Sequence, residues 1–340
     1  MSQSALRVND LKVYYHTARG PVKAVDGVTF SVGENMRMGL VGESGSGKST
    51  MALALMRMIQ KPGKIEGGEM LLDGVDLATL SEEKMRQVRL NQISMIPQGA
   101  MNSLNPVARI RQQIIDGIRA HNPSTTSKEF ARRVAEVLEW VDLEPEVGNM
   151  YPHELSGGMK QRVCVAIAIS LRPKVIIADE PTSALDVVIQ RQVMETIGRV
   201  QEELGAAVIL IGHDMGLMVQ FVDTLAVMYG GKIAEHGNVR ELFANPMHPY
   251  TRLLISSLPK LEDKGELQGI PGIAPSLLNA PSGCLFHPRC PKVLPHCATV
   301  TPPIQTISNR TVACHLYDNA GSQENADAHT GEQRIETQNA

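Results

Sequence analysis

The sequence predicts an α/β fold, and three observations carry that expectation. Continuous apolar runs stand at 174–180 (KVIIADE) and 206–214 (AAVILIGHD), too hydrophobic to leave one face wet, as expected of strands covered on both sides. A third run, MRMGLVG at 36–42, enters a glycine loop and resumes as the helical stretch KSTMALALMRMI, in the order strand, loop, helix. Residues 107–172 carry apolar side chains three or four apart, as in EFARRVAEVLEWV, which is the period of an amphipathic helix.

Ahead of the glycine loop, LRVNDLKVYY and VDGVTFSV read as short β runs separated by turns. After the first helix, EMLLDGVDL and ISMIPQ are strand candidates bracketing a charged helix, SEEKMRQVRL. A helical subdomain at about 99–172 follows, and the two long apolar strands close the core. Past about residue 260, prolines, cysteines and short turns dominate; from Asp318 onward no apolar period exists, so 318–340 is expected to be disordered.

Of the 340 residues, 43% are hydrophobic and 20% charged, enough for a large core and about two domains. A net charge of −3 gives no basic stripe for nucleic acid, so none is expected as a partner. The opening MSQSALRVNDLK is polar where a signal peptide needs an apolar stretch, and no later run approaches a span of ~18 residues. The expected setting is the cytosol, where disulfides are disfavoured.

Gly42, Gly47, Lys48 and Ser49 of GESGSGKST (42–50) match G-x-x-x-x-G-K-[ST]. In that pattern glycines bend the loop so that backbone N–H groups point at β- and γ-phosphates, a lysine neutralises them and a hydroxyl holds Mg²⁺. The expected ATP-binding set is Gly42, Ser44, Gly45, Ser46, Gly47, Lys48, Ser49 and Thr50. At the end of KVIIADE, Asp179 suits Mg²⁺, and Glu180 is placed to accept a proton from the water attacking a γ-phosphate. A second strand ends at His213, which could reach the same phosphate.

A phosphate loop, Gln98 after a strand, LSGGM at 155–159, Asp179-Glu180-Pro181, SALD and a histidine after a final strand occur here in one order. Over roughly residues 6 to 260 that order resembles the ATPase subunits of ABC transporters. The resemblance implies a P-loop NTPase (RecA-like) core with an antiparallel β subdomain and a helical signature subdomain. It implies a head-to-tail dimer in which Ser156, Gly157 and Gly158 meet the partner's ATP, with Asp186 working across the interface. It gives Gln98 a place beside Ser49 and Asp179 around Mg²⁺, and makes Tyr15 the aromatic that stacks on adenine; Tyr14, one residue away, is the alternative. Met159 departs from the commoner glutamine and cannot donate a hydrogen bond.

NPMHPYTRLLISSLP (245–259) followed by GCLFHPRCPKVLPHC (283–297) resembles the C-terminal extension of oligopeptide and dipeptide importer ATPases. The division implied is an ATP-binding domain at 1–260, an extension at 261–317 and the tail. Cys284, Cys290, Cys297 and Cys314 are spaced C-x5-C-x6-C-x16-C, loose for a zinc ribbon; the resembling importers carry a [4Fe–4S] cluster here, with zinc or free thiols as alternatives. Cys164 reads as a small core residue. The expected assembly is a peripheral ATPase on the cytoplasmic face of the inner membrane. It pairs with a related ATPase subunit as a heterodimer and works with two permease subunits and an extracytoplasmic binding protein. Di- and oligopeptides are the expected cargo; nickel chelates, glutathione or sugars are alternatives. A soluble ABC ATPase of DNA repair or the ribosome is the competing class, but the chain has neither a long heptad coiled coil nor a second P-loop.

Overall fold

The structure, a computed structural model, describes residues 4–99, 103–258 and 269–318. Apart from Asp318, the tail expected to be disordered lies outside the described residues. Two antiparallel strands open the chain, β1 (Ser4–Thr17) and β2 (Gly20–Gly33), each of 14 residues. They extend beyond the runs read at 6–15 and 25–32, and Asp10 (φ 47°) and Gly27 (φ 80°) make bulges inside them. Next come β3 (Arg37–Val41), α1 (Lys48–Leu55), β4 (Gly63–Leu72) and β5 (Val75–Asp76). The single run EMLLDGVDL thus splits at Asp73-Gly74, both at positive φ, as a tight hairpin requires.

The charged segment forms α2 (Glu82–Val88), followed by β6 (Ile93–Ile96). The helical region holds α3 (Ile110–His121), α4 (Ser127–Trp140) and α5 (Gly157–Ala168). Helix α3 buries Ile110, Ile114 and Ile118 at four-residue spacing, and α4 starts at a capping box made by Thr126 and Glu129. The chain continues through β7 (Val175–Asp179), α6 (Val187–Leu204), β8 (Ala207–Ile211), α7 (Met215–Phe221), β9 (Thr224–Tyr229) and β10 (Lys232–Asn238). Helices α8 (Val239–Ala244) and α9 (Pro249–Ser256) precede a late hairpin, β11 (Ile304–Ile307) and β12 (Arg310–Ala313).

One sheet has the order β2-β1-β4-β5; the other runs β11-β12-β10-β9-β3-β8-β7-β6. Within the second, β9, β3, β8, β7 and β6 are parallel, and β10, β12 and β11 continue it antiparallel. The parallel strands are apolar throughout because both faces are covered. Val175, Ile177, Ala207, Ile209 and Ile211 pack with α1 and the small sheet. Ile176, Ala178, Val208 and Leu210 pack on the other side with helices α3 to α6. Each buried Val, Ile or Leu among these contributes about 1.5–3 kcal/mol, so neither face can be uncovered without loss of the sheet. Parallel strands share one direction, so the loops after β3, β6, β7 and β8 emerge on one edge, where ligands bind in open α/β sheets. Among the described residues, no helix is long and apolar enough to cross a membrane.

Candidate nucleotide site

The loop after β3 turns through Gly42, Gly45 and Gly47, at φ 152°, 77° and 104°. At Gly47 the conformation and the space both demand glycine, since a Cβ would lie 2.1 Å from the Ala24 carbonyl oxygen. Lys48 begins α1 with its side chain buried, and its Nζ donates to the carbonyls of Gly42 (2.8 Å) and Glu43 (3.0 Å). Burial lowers its pKa, while the charges of Glu180, Asp179 and Glu43 pull it back up. Ser44 and Gly45 are exposed on the loop, Ser46 is buried, and Ser49 and Thr50 are half-buried in the first turn of α1.

Asp179, the last residue of β7, is buried, and Ser49 Oγ donates to its Oδ1 at 3.3 Å. Burial raises the Asp179 pKa, which the Ser49 hydrogen bond partly offsets. A hydroxyl and a buried carboxylate side by side are oxygen donors that fit a hard divalent cation such as Mg²⁺. Glu180 sits at φ 45°, with its N–H bonded to Ile211 O at 2.9 Å. Gln98 Nε2 donates to Glu180 Oε2 at 2.8 Å, and His213 Nδ1 lies 3.5 Å from Oε1. Residues from the ends of β6, β7 and β8 thus meet at one carboxylate that retains 20% exposure, enough to meet a water.

The glycine turn lies elsewhere. Ser156 is exposed at the N-cap of α5, and its Oγ accepts the Met159 N–H. Met159 packs its side chain onto the core, so the missing donor costs no intramolecular bond. Gly158 lets α5 approach α6, since a Cβ would stand 2.8 Å from Ile189 Cγ2. Asp186 caps α6, accepting the N–H groups of Val188 and Ile189 at 3.1 Å each, and Val187 and Val188 beside it are 80% and 67% exposed. Among the described residues, no hydrogen bond joins the turn at 156–158 to the loop at 42–50.

Tyr14 donates its hydroxyl to Asp26 Oδ1 at 2.6 Å, under Lys23, whereas Tyr15 is half-buried beside Gly63. Cys164 is buried, and burial pushes its thiol up to about 12, as for a core residue.

The four late cysteines fall in one small region. Burial raises the thiols of Cys284 and Cys290 and pushes Cys314 up to about 11, with the other three thiols adding to that rise. They do not form a preassembled ligand set. Among the described residues, the only three donors within 4.8 Å of one another are on His296, His315 and Asp318. Sulfurs around one zinc would stand closer than that, each about 2.3 Å from the ion, so the zinc alternative does not fit this arrangement. The geometry does not itself carry the iron–sulfur expectation either.

Sequence reasoning passed over Glu43, which fills a wildcard position of the motif. Its carboxylate takes both terminal nitrogens of Arg289, at 2.7 and 3.0 Å, and its N–H donates to Tyr250 Oη at 2.9 Å. No local pattern signals a contact across 246 residues.

A family model described as "ABC transporter" matches residues 25–183, and one described as "Oligopeptide/dipeptide transporter, C-terminal region" matches 234–297. The dipeptide transport ATP-binding protein DppD of Caldanaerobacter subterraneus subsp. tengcongensis is 41% identical over 92% of this chain and 97% of its own. The oligopeptide transport ATP-binding protein AppD of Bacillus subtilis is 42% identical over 94% of this chain and 98% of its own. Among solved structures, the dimeric post-hydrolysis state of the ATP-binding cassette MJ0796, bound to ADP and Pi, aligns with a TM-score of 0.62 and 26% identity. It covers 69% of this chain and 99% of the cassette.

Proposed function

The chain belongs to the ATP-binding subunits of ABC transporters, and from that premise we propose that it powers a di- and oligopeptide importer through catalytic sites shared between two subunits. It hydrolyses ATP, and subunits of its kind dimerise and work with permeases, peripheral to the membrane. The observation that carries the shared site is the separation of two halves. Lys48, Ser49, Asp179, Gln98, Glu180 and His213 gather at one edge of the sheet, while the exposed helix start at Ser156 bonds to none of them. A helix N-terminus with exposed N–H groups favours an anion, and a partner's γ-phosphate supplies one. The exposed valines beside Asp186 give that partner an apolar footing.

In this reading the N–H groups of 42–50 cradle the β- and γ-phosphates and Lys48 neutralises them. Ser49, Gln98 and Asp179 hold Mg²⁺, which when bound supplies charge neutralisation. Glu180, oriented by Gln98, accepts the proton of the attacking water, and His213 contacts the γ-phosphate. Tyr15 stacks on adenine, because the ring of Tyr14 lies under Lys23 with its hydroxyl held by Asp26. Asp186 works across the interface, and the partner is a related ATPase rather than a second copy. The working division is 1–260 for ATP, with 99–172 as the coupling subdomain, and 261–317 as the extension.

The four late cysteines hold an iron–sulfur cluster in this reading. What supports it is the placement of four thiols in one extension and the width of a cluster, which spaces its ligands further apart than one ion does. Anaerobic purification with iron analysis tests it; iron-free, colourless protein removes the cluster. Cargo is tested in proteoliposomes of the assembled importer. Hydrolysis should rise with a peptide-loaded binding protein, and a response only to a nickel chelate, glutathione or sugar would overturn the peptide assignment. Lys48→Ala should abolish binding of a fluorescent ATP analogue.

A further inference from the structure

Glu43 is fixed from three sides. Its N–H donates to Tyr250 Oη, its carboxylate takes the Arg289 fork, and its carbonyl accepts from Lys48 Nζ at 3.0 Å and from Ser46 N–H at 3.2 Å. The residue whose carboxylate meets the extension therefore also supplies one of the two carbonyls that hold the lysine. Arg289 is itself over-determined. Its side chain is 5% exposed, Nε donates to Pro271 O (2.7 Å), Nη2 to Ile270 O (3.3 Å) and Nη1 to Tyr229 Oη (3.2 Å). Tyr229, Tyr250 and Phe286 pack against one another, with centroids 4.6 to 5.3 Å apart, beside the buried guanidinium, while the Glu43 side chain keeps 27% exposure. Arg289 also directly precedes Cys290, and Phe286 lies two residues after Cys284.

A bidentate guanidinium–carboxylate pair tolerates little displacement, because both bonds share one plane. Arg289 is the buried partner, so losing Glu43 leaves its charge uncompensated, while losing Arg289 frees a half-buried carboxylate. We propose that Arg289 is a positioning residue of the nucleotide cradle, tying the cysteine-bearing extension to Glu43 so that the extension sets the affinity for ATP. The proposal rests on the reading of 42–50 as the ATP cradle. Arg289 touches no phosphate; it acts by holding the Glu43 peptide, and through it Lys48, where the triphosphate must bind. The extension thereby becomes part of the ATP site's support, and disturbance at Cys284 or Cys290 reaches the cradle through Phe286 and Arg289.

The test uses the full chain and measures ATP affinity with a fluorescent analogue alongside KM and kcat. Arg289→Gln should weaken affinity and raise KM about tenfold, equivalent to roughly 1.4 kcal/mol, with kcat at saturating ATP within about twofold. Glu43→Gln should do the same, and the double variant should be no worse than either single, because both remove one interaction. Tyr250→Phe, which keeps the ring and so guards against misfolding of the Arg289 variant, should weaken affinity in the same direction by a smaller factor. Lys48→Ala runs beside them. If it loses ATP while Arg289→Gln or Tyr250→Phe keeps wild-type affinity, the proposal fails alone; if Lys48→Ala also binds normally, the cradle reading fails first. Effects of the two single variants that multiply in the double, or a fall in kcat with KM unmoved, would likewise overturn the positioning role.

Discussion

Replacing Glu180 by glutamine keeps the side chain's length and shape but removes one negative charge and one proton acceptor. The backbone bond from Glu180 N–H to Ile211 O is indifferent to the change. The amide oxygen can still accept from Gln98 Nε2, which donates to the carboxylate at 2.8 Å in the parent chain. What disappears is a base for the attacking water, typically worth 10²–10⁴ in rate, or about 3–5 kcal/mol of barrier. Binding should move the other way or not at all. Glu180 has the largest effect of the three carboxylates whose charge raises the Lys48 pKa, so neutralising it removes a repulsion that an incoming triphosphate would feel. The assay uses this chain together with its related ATPase partner and pairs single-turnover hydrolysis of labelled ATP with equilibrium binding of a fluorescent analogue and sizing chromatography in ATP. A drop of at least ~100-fold in hydrolysis, with affinity kept and an ATP-dependent dimer trapped, is the expected result. Turnover within about tenfold of wild type, a loss too small for a general base, would refute the assignment of Glu180.

Gly47→Ala should cut ATP affinity by about fivefold or more, since strain of roughly 1–3 kcal/mol is expected where φ is 104° and a Cβ would meet Ala24 O; unchanged affinity in the analogue titration would show that the loop yields freely. Ser156→Arg should leave binding to the monomer intact while hydrolysis collapses, and full hydrolysis by that variant would remove the glycine turn from the site. The third prediction concerns acid. His248 is fully buried with its Nδ1 accepting the Tyr250 N–H, and burial pushes its pKa down to about 4. The unfolded chain therefore takes up the proton first as pH falls below 6.5, and stability present above that value is lost towards pH 4, by at most about 3 kcal/mol. Neighbouring Glu235, whose pKa burial raises, works in the opposite sense. Urea unfolding of the parent against His248→Asn, which retains an acceptor for Tyr250, isolates the histidine. The variant should show a flatter acid limb between pH 6.5 and 4, and identical limbs would contradict the assignment.

Much of the fold was legible because its signals are local. The runs ending at Asp179 and His213 announced themselves as strands, since covering both faces of a parallel strand leaves no polar alternation. The spacing of Phe130, Val134, Val137 and Leu138 announced α4 in the same way. Asp10 and Gly27 sit inside the runs read as strands, and only the register of the partner strand shows them to be bulges. One reading went astray where a local signal was ambiguous. The hairpin β11 and β12 was read as turns among prolines and cysteines. Its Ser308-Asn309 turn, at φ 47° and 64°, was the signal available. Only contact with β10, pairing Glu235 with Val312, makes this hairpin the edge of the main sheet.

The sequence by itself determined which chemical groups this protein owns and on what local scaffolds they sit. A glycine-lysine loop, an acidic pair after a strand and a serine at a helix start are set by backbone preferences over a few residues. Tertiary structure alone decided who meets whom. Gln98 finds Glu180 across 82 residues because β6 and β7 are neighbours in the sheet. Arg289 reaches Glu43 because the late extension packs over the aromatic residues beside the phosphate loop. Strand order and extension docking follow from burying whole faces of apolar surface, a collective free energy that no short window of sequence contains.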